Sequence, residues 1–229
     1  MPASTVGLVT IGQSPRPDIR TAYEAILGPA ARIIEAGALD GLSADDLRSL
    51  NPRADDIPLV TLFDTHEVRI GKRSITPFLQ RAINGVVADG AVIVVVLCTG
   101  YFEGLRADVP LIEPDRVLDG FMRAIQPTGK LGVIMPDDGQ EGMMRRKWHG
   151  YDLTLATASP YQPPATWDTV IARFASARVE GIVLDCMGFG PDAKAWFGSR
   201  AGVPVLCAQT ATAHLVRDLV WVPRESVVR

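Results

Sequence analysis

Two short stretches with the same pattern constrain the fold of this chain more than any other feature. Residues 92–102 read VIVVVLCTGYF and residues 181–189 read GIVLDCMGF; each is an aliphatic run that ends in Cys, one residue, Gly and an aromatic residue. Runs of this kind are typical of strands buried on both faces of a parallel sheet. Because ligands bind at the carboxyl ends of such strands, we expect Cys98 and Cys186 to lie at ligand-binding edges.

The segments around these stretches follow one order twice: strand, polar turn, helix, strand, helix and cysteine strand. The first copy carries an insertion, residues 57–75, whose apolar runs 59–63 and 67–70 suggest a hairpin of unassigned role. A breaker cluster at 126–129 separates the copies. We therefore predict an α/β protein with two similar half-domains, residues 1–127 and 128–229, facing each other across a cleft. The last helix can pack back on the first half.

Composition and charge exclude several classes of function. The chain has 229 residues, 47% of them hydrophobic, and its net charge of −3 comes with scattered Lys and Arg, so we expect neither a nucleic-acid partner nor a membrane partner. The apolar run 6–11 is too short for a signal sequence or a membrane span. Three cysteines, an odd number, favour free thiols in a reducing compartment. We expect a cytoplasmic protein that acts on a small molecule, and we leave a homo-oligomer open.

The two thiols suggest a specific chemistry. A cysteine at a strand end, beside the N-terminus of the next segment, is expected to have a lowered pKa. Two facing thiols can invert a carbon next to a carboxylate, because one removes a proton from one face while the other donates to the opposite face. This needs no cofactor. The histidines are isolated, and neither CxxC nor HExxH occurs, so we expect no metal site.

Candidate substrate-binding residues lie in loops at the same sheet edges. Arg16 follows the first strand and is suited to clamp a carboxylate bidentately, although an ordinary turn with a solvated Arg is the alternative. Asp185 either orients or repels the thiolate of Cys186, or it caps the following turn. Cys207 lacks the Gly turn and is interpreted as structural. The other candidate substrate contacts are Gln13, Ser14, Thr99, Gly100, Met187 and Gly188.

Three motifs support a family resemblance. The sequences TIGQSPRPD, LCTGYF and LDCMGF, in this order and over essentially the whole chain, resemble the AroM family within the aspartate/glutamate racemase superfamily. That superfamily also holds hydantoin racemases, maleate isomerases and arylmalonate decarboxylases. The resemblance implies two pseudo-symmetric flavodoxin-like domains, each a three-layer arrangement around a parallel sheet, with cofactor-free chemistry by Cys98 and Cys186 in the cleft between them.

The resemblance also shows where this chain departs from the superfamily. Its racemases usually carry Asn-Thr after the first cysteine and Thr-His or Thr-Glu after the second, whereas this chain has Thr99-Gly100 and Met187-Gly188. Since those polar groups help to hold an ammonium, the difference disfavours an amino-acid substrate. The main hypothesis is a racemase, epimerase or isomerase of a small carboxylate. The alternatives are a one-cysteine decarboxylase or cis/trans isomerase, and a non-catalytic protein that binds a small acid.

Overall fold

The computed structural model describes residues 4–125, 129–162 and 164–220. The first half contains, in chain order, β1 (Ser4–Thr10), α1 (Pro17–Leu27), β2 (Ala31–Gly37), α2 (Ala44–Ser49), β3 (Pro58–Phe63), β4 (His66–Gly71), α3 (Lys72–Ala88), β5 (Ile93–Leu97), β6 (Leu111–Ile112) and α4 (Pro114–Ile125). The second half contains β7 (Leu131–Met135), α5 (Glu141–Lys147), β8 (Leu153–Thr157), α6 (Asp168–Ala177), β9 (Gly181–Leu184), α7 (Pro191–Ala201), β10 (Val205–Cys207) and α8 (Ala208–Leu219).

Each half is built on a four-stranded parallel sheet, and the two strand orders are equivalent. The first sheet runs β2-β1-β5-β6, and the second, taken from the corresponding edge, runs β8-β7-β9-β10. The strands that precede the two cysteines, β5 and β9, each pair in parallel with the opening strand of their own half. The protein is therefore α/β with two pseudo-symmetric flavodoxin-like halves, which confirms the predicted fold class.

The aliphatic composition of the central strands follows from burial on both faces. All five residues of β5 are buried. Successive side chains of a strand point to opposite faces. Ile93, Val95 and Leu97 accordingly join a core cluster that includes side chains from both sheets. The alternate residues, Val94 and Val96, join a separate cluster against α3. Both faces of β5 are buried, so all of its side chains are apolar. The reactive thiol, Cys98, follows directly after the last residue of the strand.

Helix α2 begins with a cap formed by its own first residues. The Ser43 hydroxyl accepts a hydrogen bond from the Asp46 backbone N–H, and the Asp46 carboxylate accepts one from the Ser43 backbone N–H. This capping box satisfies two donors that the first turn of a helix leaves unpaired.

The insertion forms the predicted hairpin, with β3 and β4 paired antiparallel from Pro58 opposite Gly71 to Phe63 opposite His66. Its two turn residues, Asp64 and Thr65, have left-handed φ angles of 46° and 65°. The right-handed twist of a hairpin favours this turn geometry. Strand β6 was not predicted, because two residues after a proline carry no periodic pattern.

The two halves share apolar core. Helix α8 packs against α1 and α4 of the first half, and Ile19, Tyr23, Ala213 and Val216 lie in the cluster that spans both sheets. The predicted division after residue 127 falls at 126–128, outside the described residues, so that boundary stays a prediction.

Candidate functional site

The first candidate thiol directly follows a fully buried strand. Cys98 is the next residue after β5, and its sulfur lies 3.4 Å from the backbone nitrogen of Gly100, which donates to it. A Cβ added at Gly100 would meet its nearest neighbours, led by the sulfur, at 3.5 Å, an ordinary contact distance. Gly100 is therefore not required by crowding.

The second candidate thiol has the same local geometry. Cys186 follows β9 by one residue, and its sulfur lies 3.5 Å from the donating backbone nitrogen of Gly188. Here the glycine is required, because an added Cβ would lie 2.6 Å from Cγ of Pro160 and 3.1 Å from the Tyr161 hydroxyl oxygen. The second cysteine turn thus packs closely against the loop that follows β8.

Both thiols face one small cavity between the halves. Its volume open to the centre of a water-sized sphere is about 20 Å³, close to what a single water molecule needs. It is lined by Ile11, Arg16, Leu59, Val60, Thr61, Leu97, Cys98, Thr99, Gly100, Pro136, Gln140, Met143, Tyr161, Cys186, Met187 and Gly188. The structure therefore brings together seven of the nine site residues named from the sequence.

Burial keeps both thiols neutral, contrary to the lowered pKa that the sequence suggested. Burial raises the pKa of Cys98 to about 11, against a smaller lowering by the Gly100 amide. Burial, with a smaller contribution from the neighbouring Cys98, raises the pKa of Cys186 to about 12. No helix begins directly after either cysteine, so no helix dipole offsets the desolvation of the thiolate.

Arg16 is buried beside the cavity rather than solvated. Its side chain is 4% exposed, and its Nε and Nη2 donate to the two carboxylate oxygens of Asp18 at 2.9 and 2.6 Å. Nη2 also donates to the Tyr161 hydroxyl at 3.1 Å, and Nη1 donates to the Thr10 hydroxyl at 3.3 Å. The two parallel N–H groups of Arg16 that were predicted to bind a substrate carboxylate therefore bind Asp18 instead. One N–H of Nη1 remains available for a ligand.

Gln13 and Ser14 are not among the cavity-lining residues. The Ser14 hydroxyl and backbone N–H both donate to the Asp40 carboxylate, at 2.6 and 2.7 Å. The Gln13 side-chain oxygen accepts from the Asp64 backbone N–H at 2.7 Å, which fixes the tip of the β3–β4 hairpin. Both side chains therefore hold loops together, and we leave them out of the proposed site.

Sequence reasoning missed three polar residues of the cavity. The Thr61 hydroxyl lines the cavity and is buried without a hydrogen-bond partner among the described residues. The Tyr161 hydroxyl accepts from Arg16, so its own proton is free to be donated. Gln140 donates to the Pro58 carbonyl at 2.9 Å. Of these three residues, only Thr61 could have been found from the sequence, because it is a polar residue within an otherwise apolar strand pattern.

The β3–β4 hairpin covers the cavity and bonds to the second half. Leu59, Val60 and Thr61 form part of the cavity wall. On the other strand, Arg69 pairs with Asp137 at 2.7 Å, and Glu67 accepts a hydrogen bond from Ser159. The hairpin therefore supplies one wall of the cavity and is fastened to the second half by polar contacts.

The described residues offer neither a metal centre nor a membrane-spanning helix. Within residues 4–125, 129–162 and 164–220, no group of three or more His, Cys, Asp or Glu side chains is placed to hold a metal ion. Across the same residues, no helix combines the length and the apolar character that spanning a membrane requires.

Comparisons with known proteins agree with this architecture. The family model described as AroM protein matches residues 6–220. No curated protein matches the sequence. Among solved structures, a mutant of arylmalonate decarboxylase in the liganded form has a TM-score of 0.66 at 15% identity, with 97% of this chain and 94% of that chain covered.

Two further solved structures are similar. Glutamate racemase from Francisella tularensis subsp. tularensis SCHU S4, in complex with D-glutamate, has a TM-score of 0.59 at 10% identity, covering 96% of this chain and 81% of that one. The maleate isomerase Iso from Pseudomonas putida S16 has a TM-score of 0.63 at 14% identity, covering 96% and 94%. At these identities the likeness concerns the fold alone.

Proposed function

This chain belongs to the AroM family, and on that premise we propose that it is a cofactor-independent racemase, epimerase or isomerase of a small carboxylate. The observation that carries the proposal is the placement of two thiols. Cys98 and Cys186 follow equivalent strands of two equivalent sheets and line the same cavity. Few structural roles would need two thiols at matched positions around one enclosed space.

The proposed reaction moves one proton on each side of a carbon. The thiolate of one cysteine takes the α-proton, and the C–H electron pair moves into the adjacent carboxylate to form an enediolate. The thiol of the other cysteine then gives its proton to the opposite face. The enzyme ends with the thiol and the thiolate exchanged, so the reverse reaction uses the two residues in opposite roles.

Coupling between the thiols disfavours the doubly ionised pair, in which no thiol is left to donate a proton. A thiolate at one site disfavours ionisation of the other, since the negative charge of Cys98 raises the pKa of Cys186. One thiolate beside one thiol is the state in which a base and an acid flank the same carbon.

Donors for the developing enediolate come from the residues around Arg16. Its remaining N–H and the free proton of the Tyr161 hydroxyl are suited to the carboxylate oxygens. Burial raises the pKa of Tyr161, although Arg16 opposes this, so the hydroxyl keeps its proton at neutral pH. Thr61 offers a further hydroxyl, which has no hydrogen-bond partner in the described part of the chain.

The cavity lining favours a substrate without an ammonium group. Its only charged member is the cation Arg16, and no Asp or Glu of the described chain lines the cavity. Burying an ammonium without a carboxylate partner is costly. Aliphatic walls from Ile11, Leu59 and Leu97 suit a compact apolar substituent.

A one-cysteine decarboxylase is the second candidate, favoured by the unequal surroundings of the thiols. The two pKa values differ, and Cys98 is followed by a hydroxyl residue whereas Cys186 is followed by Met187. In that reaction the carbanion arises by loss of CO₂, and a single thiol delivers the proton.

Incubation of a panel of small chiral carboxylic and dicarboxylic acids in D₂O tests the proposal, with proton NMR for α-deuteration and a CO₂ assay in parallel. The Cys98→Ser/Cys186→Ser double variant is the control. Deuteration with inversion and without CO₂ supports the proposal, whereas deuteration with CO₂ supports the decarboxylase. Tight binding of an acid without deuteration or CO₂ would contradict both and indicate a binding protein.

A further inference from the structure

A buried ammonium lies between the two cysteine loops without lining the cavity. Lys147, the last residue of α5, has a side chain only 11% exposed. Its Nζ donates to the Thr99 carbonyl oxygen at 3.1 Å and pairs with Asp185 at 2.9 Å and Asp115 at 2.8 Å. Three acceptors match the three N–H donors of an ammonium, so the group is fully satisfied.

The acceptors of Lys147 flank the two thiols in sequence. Thr99 is the residue after Cys98, and Asp185 is the residue before Cys186. Asp185 is fully buried, and its second carboxylate oxygen accepts from Trp148 Nε1 at 2.8 Å. The Thr99 hydroxyl also donates to the Asp185 carbonyl at 3.0 Å. One polar network therefore joins both cysteine loops across the interface of the halves.

The charges around the thiols are distributed unequally. Lys147 and Lys72 act on Cys98 and favour its thiolate, while Asp185 opposes it. On Cys186 the cation that acts is Arg16, and Asp185 again opposes ionisation. Burial would lower the pKa of Lys147, but Asp185 and Asp115 outweigh it and keep the ammonium charged. Each thiol thus has its own principal cation.

We propose that Lys147 is a positioning residue that holds the two cysteine loops in register and supplies the counter-charge for Cys98 but not for Cys186. Its importance for catalysis rests on the proposed function, because a counter-charge at Cys98 affects the reaction only if Cys98 transfers a proton to or from the substrate. Lys147 itself does not touch the cavity, and it acts through the Thr99 carbonyl and through its charge.

Chemical modification of the thiols tests the proposed role of Lys147 without any substrate. Wild type, Lys147→Gln and Lys147→Arg are treated with methyl methanethiosulfonate between pH 7 and 9.5, and the Cys98 and Cys186 peptides are quantified by mass spectrometry. Lys147→Gln keeps a hydrogen-bond donor of similar reach while removing the charge. Lys130→Gln, at a surface lysine near Asp152, is the matched control. Circular dichroism and thermal melting confirm that each variant is folded.

We expect Lys147→Gln to slow modification of Cys98 about tenfold, which corresponds to one unit of thiol pKa, and to move its pH profile upward. Cys186 should react at the wild-type rate, and Lys147→Arg should restore Cys98. Should Lys147→Gln fail to fold, Lys147→Arg keeps the proposal falsifiable, because a Cys98 profile that shifts upward despite the retained charge would contradict it. Equal changes at both thiols, faster modification of both, or no difference at all would overturn the proposal.

The same variants separate this inference from the proposed function. In the deuteration assay, Lys147→Gln should slow only the enantiomer whose proton is taken by Cys98. If wild type deuterates no acid, the proposed function fails. The modification experiment still tests the role of Lys147, because it needs no substrate. If wild type is active but Lys147→Gln changes both enantiomers equally, the counter-charge assignment fails and the function remains.

Discussion

The Thr99 hydroxyl donates a hydrogen bond to the backbone carbonyl oxygen of Asp185 at 3.0 Å. This contact joins the residue after one candidate thiol to the residue before the other, and it links two sheets that are far apart in sequence. The separation of Cys98 and Cys186 is therefore set by bonds within the protein before any ligand arrives. Such preorganisation is what a two-sided proton transfer requires.

Stability should fall at alkaline pH because of the thiols. The pKa values of Cys98 and Cys186 are raised above the ordinary 9.0, so above that pH the folded protein binds more protons than the unfolded chain. The contribution of the thiols to the free energy of unfolding is therefore complete below pH 9 and declines as the pH rises toward 11. Urea titrations at pH 8, 9 and 10 should show a shallower decline for Cys98→Ser and for Cys186→Ser. Slopes parallel to wild type would contradict the burial of the thiols.

Thr61→Val should weaken ligand binding without destabilising the protein. None of the described residues bonds to this hydroxyl, so its removal breaks no hydrogen bond among them, whereas an acid that uses it loses about 0.5 to 1.5 kcal/mol of affinity. Thr212→Val is the matched control, since that hydroxyl donates to the Ala208 carbonyl at 2.8 Å away from the cavity. Calorimetric titration and thermal melting would measure both effects. Unchanged affinity, or a loss of stability as large as in the control, would remove Thr61 from the site.

Arg16→Ala should reduce the affinity for a small acid by about 1.5 to 3 kcal/mol, the range of hydrogen bonds to charged groups. Arg20→Ala provides a control of the same type, because Arg20 pairs with Glu24 and Glu35 and does not line the cavity. Isothermal titration of both variants measures the difference. Equal affinities in the two variants would show that Arg16 does not bind the acid and has only a structural role, in its contacts with Asp18 and Tyr161.

The two cysteine turns should respond differently to one added methyl group. Gly188→Ala places a Cβ 2.6 Å from Pro160, a contact that the ring can relieve only by moving, and the usual cost of overpacking is about 1 to 3 kcal/mol. Gly100→Ala meets neighbours at ordinary distances and should be nearly neutral. Chemical denaturation of the pair gives the comparison, and equal stabilities would mean that the loop around Pro160 yields freely.

The fold was largely accessible from the sequence because it depends on local patterns. The aliphatic runs before Cys98 and Cys186 specify buried central strands, and the Ser43 cap specifies where α2 begins. Strand β6 could not be predicted, because pairing of Leu111–Ile112 with β5 is decided by the neighbouring sheet and not by its own two residues.

The site was less accessible because its polar contacts are non-local. Lys147 stands in a basic run at the end of a helix, where a solvated side chain is the ordinary expectation, and its partners Asp115 and Asp185 are distant in sequence. Ser14 failed as a substrate contact because Asp40 takes its hydroxyl, which the turn sequence alone does not reveal. The lowered thiol pKa failed because the depth of burial is a property of the assembled halves.

Whether both thiols act on one carbon is most directly measured by stereospecific exchange in the single variants Cys98→Ser and Cys186→Ser. Each variant, incubated in D₂O with the separate enantiomers of an acid that wild type deuterates, is followed by proton NMR. A serine hydroxyl is too weakly acidic to replace a thiolate base, so neither variant should racemise. Each should still deuterate the one enantiomer whose proton faces the remaining thiol, with opposite preferences in the two variants. Complete loss of activity in Cys186→Ser with near wild-type activity in Cys98→Ser would contradict the two-thiol account.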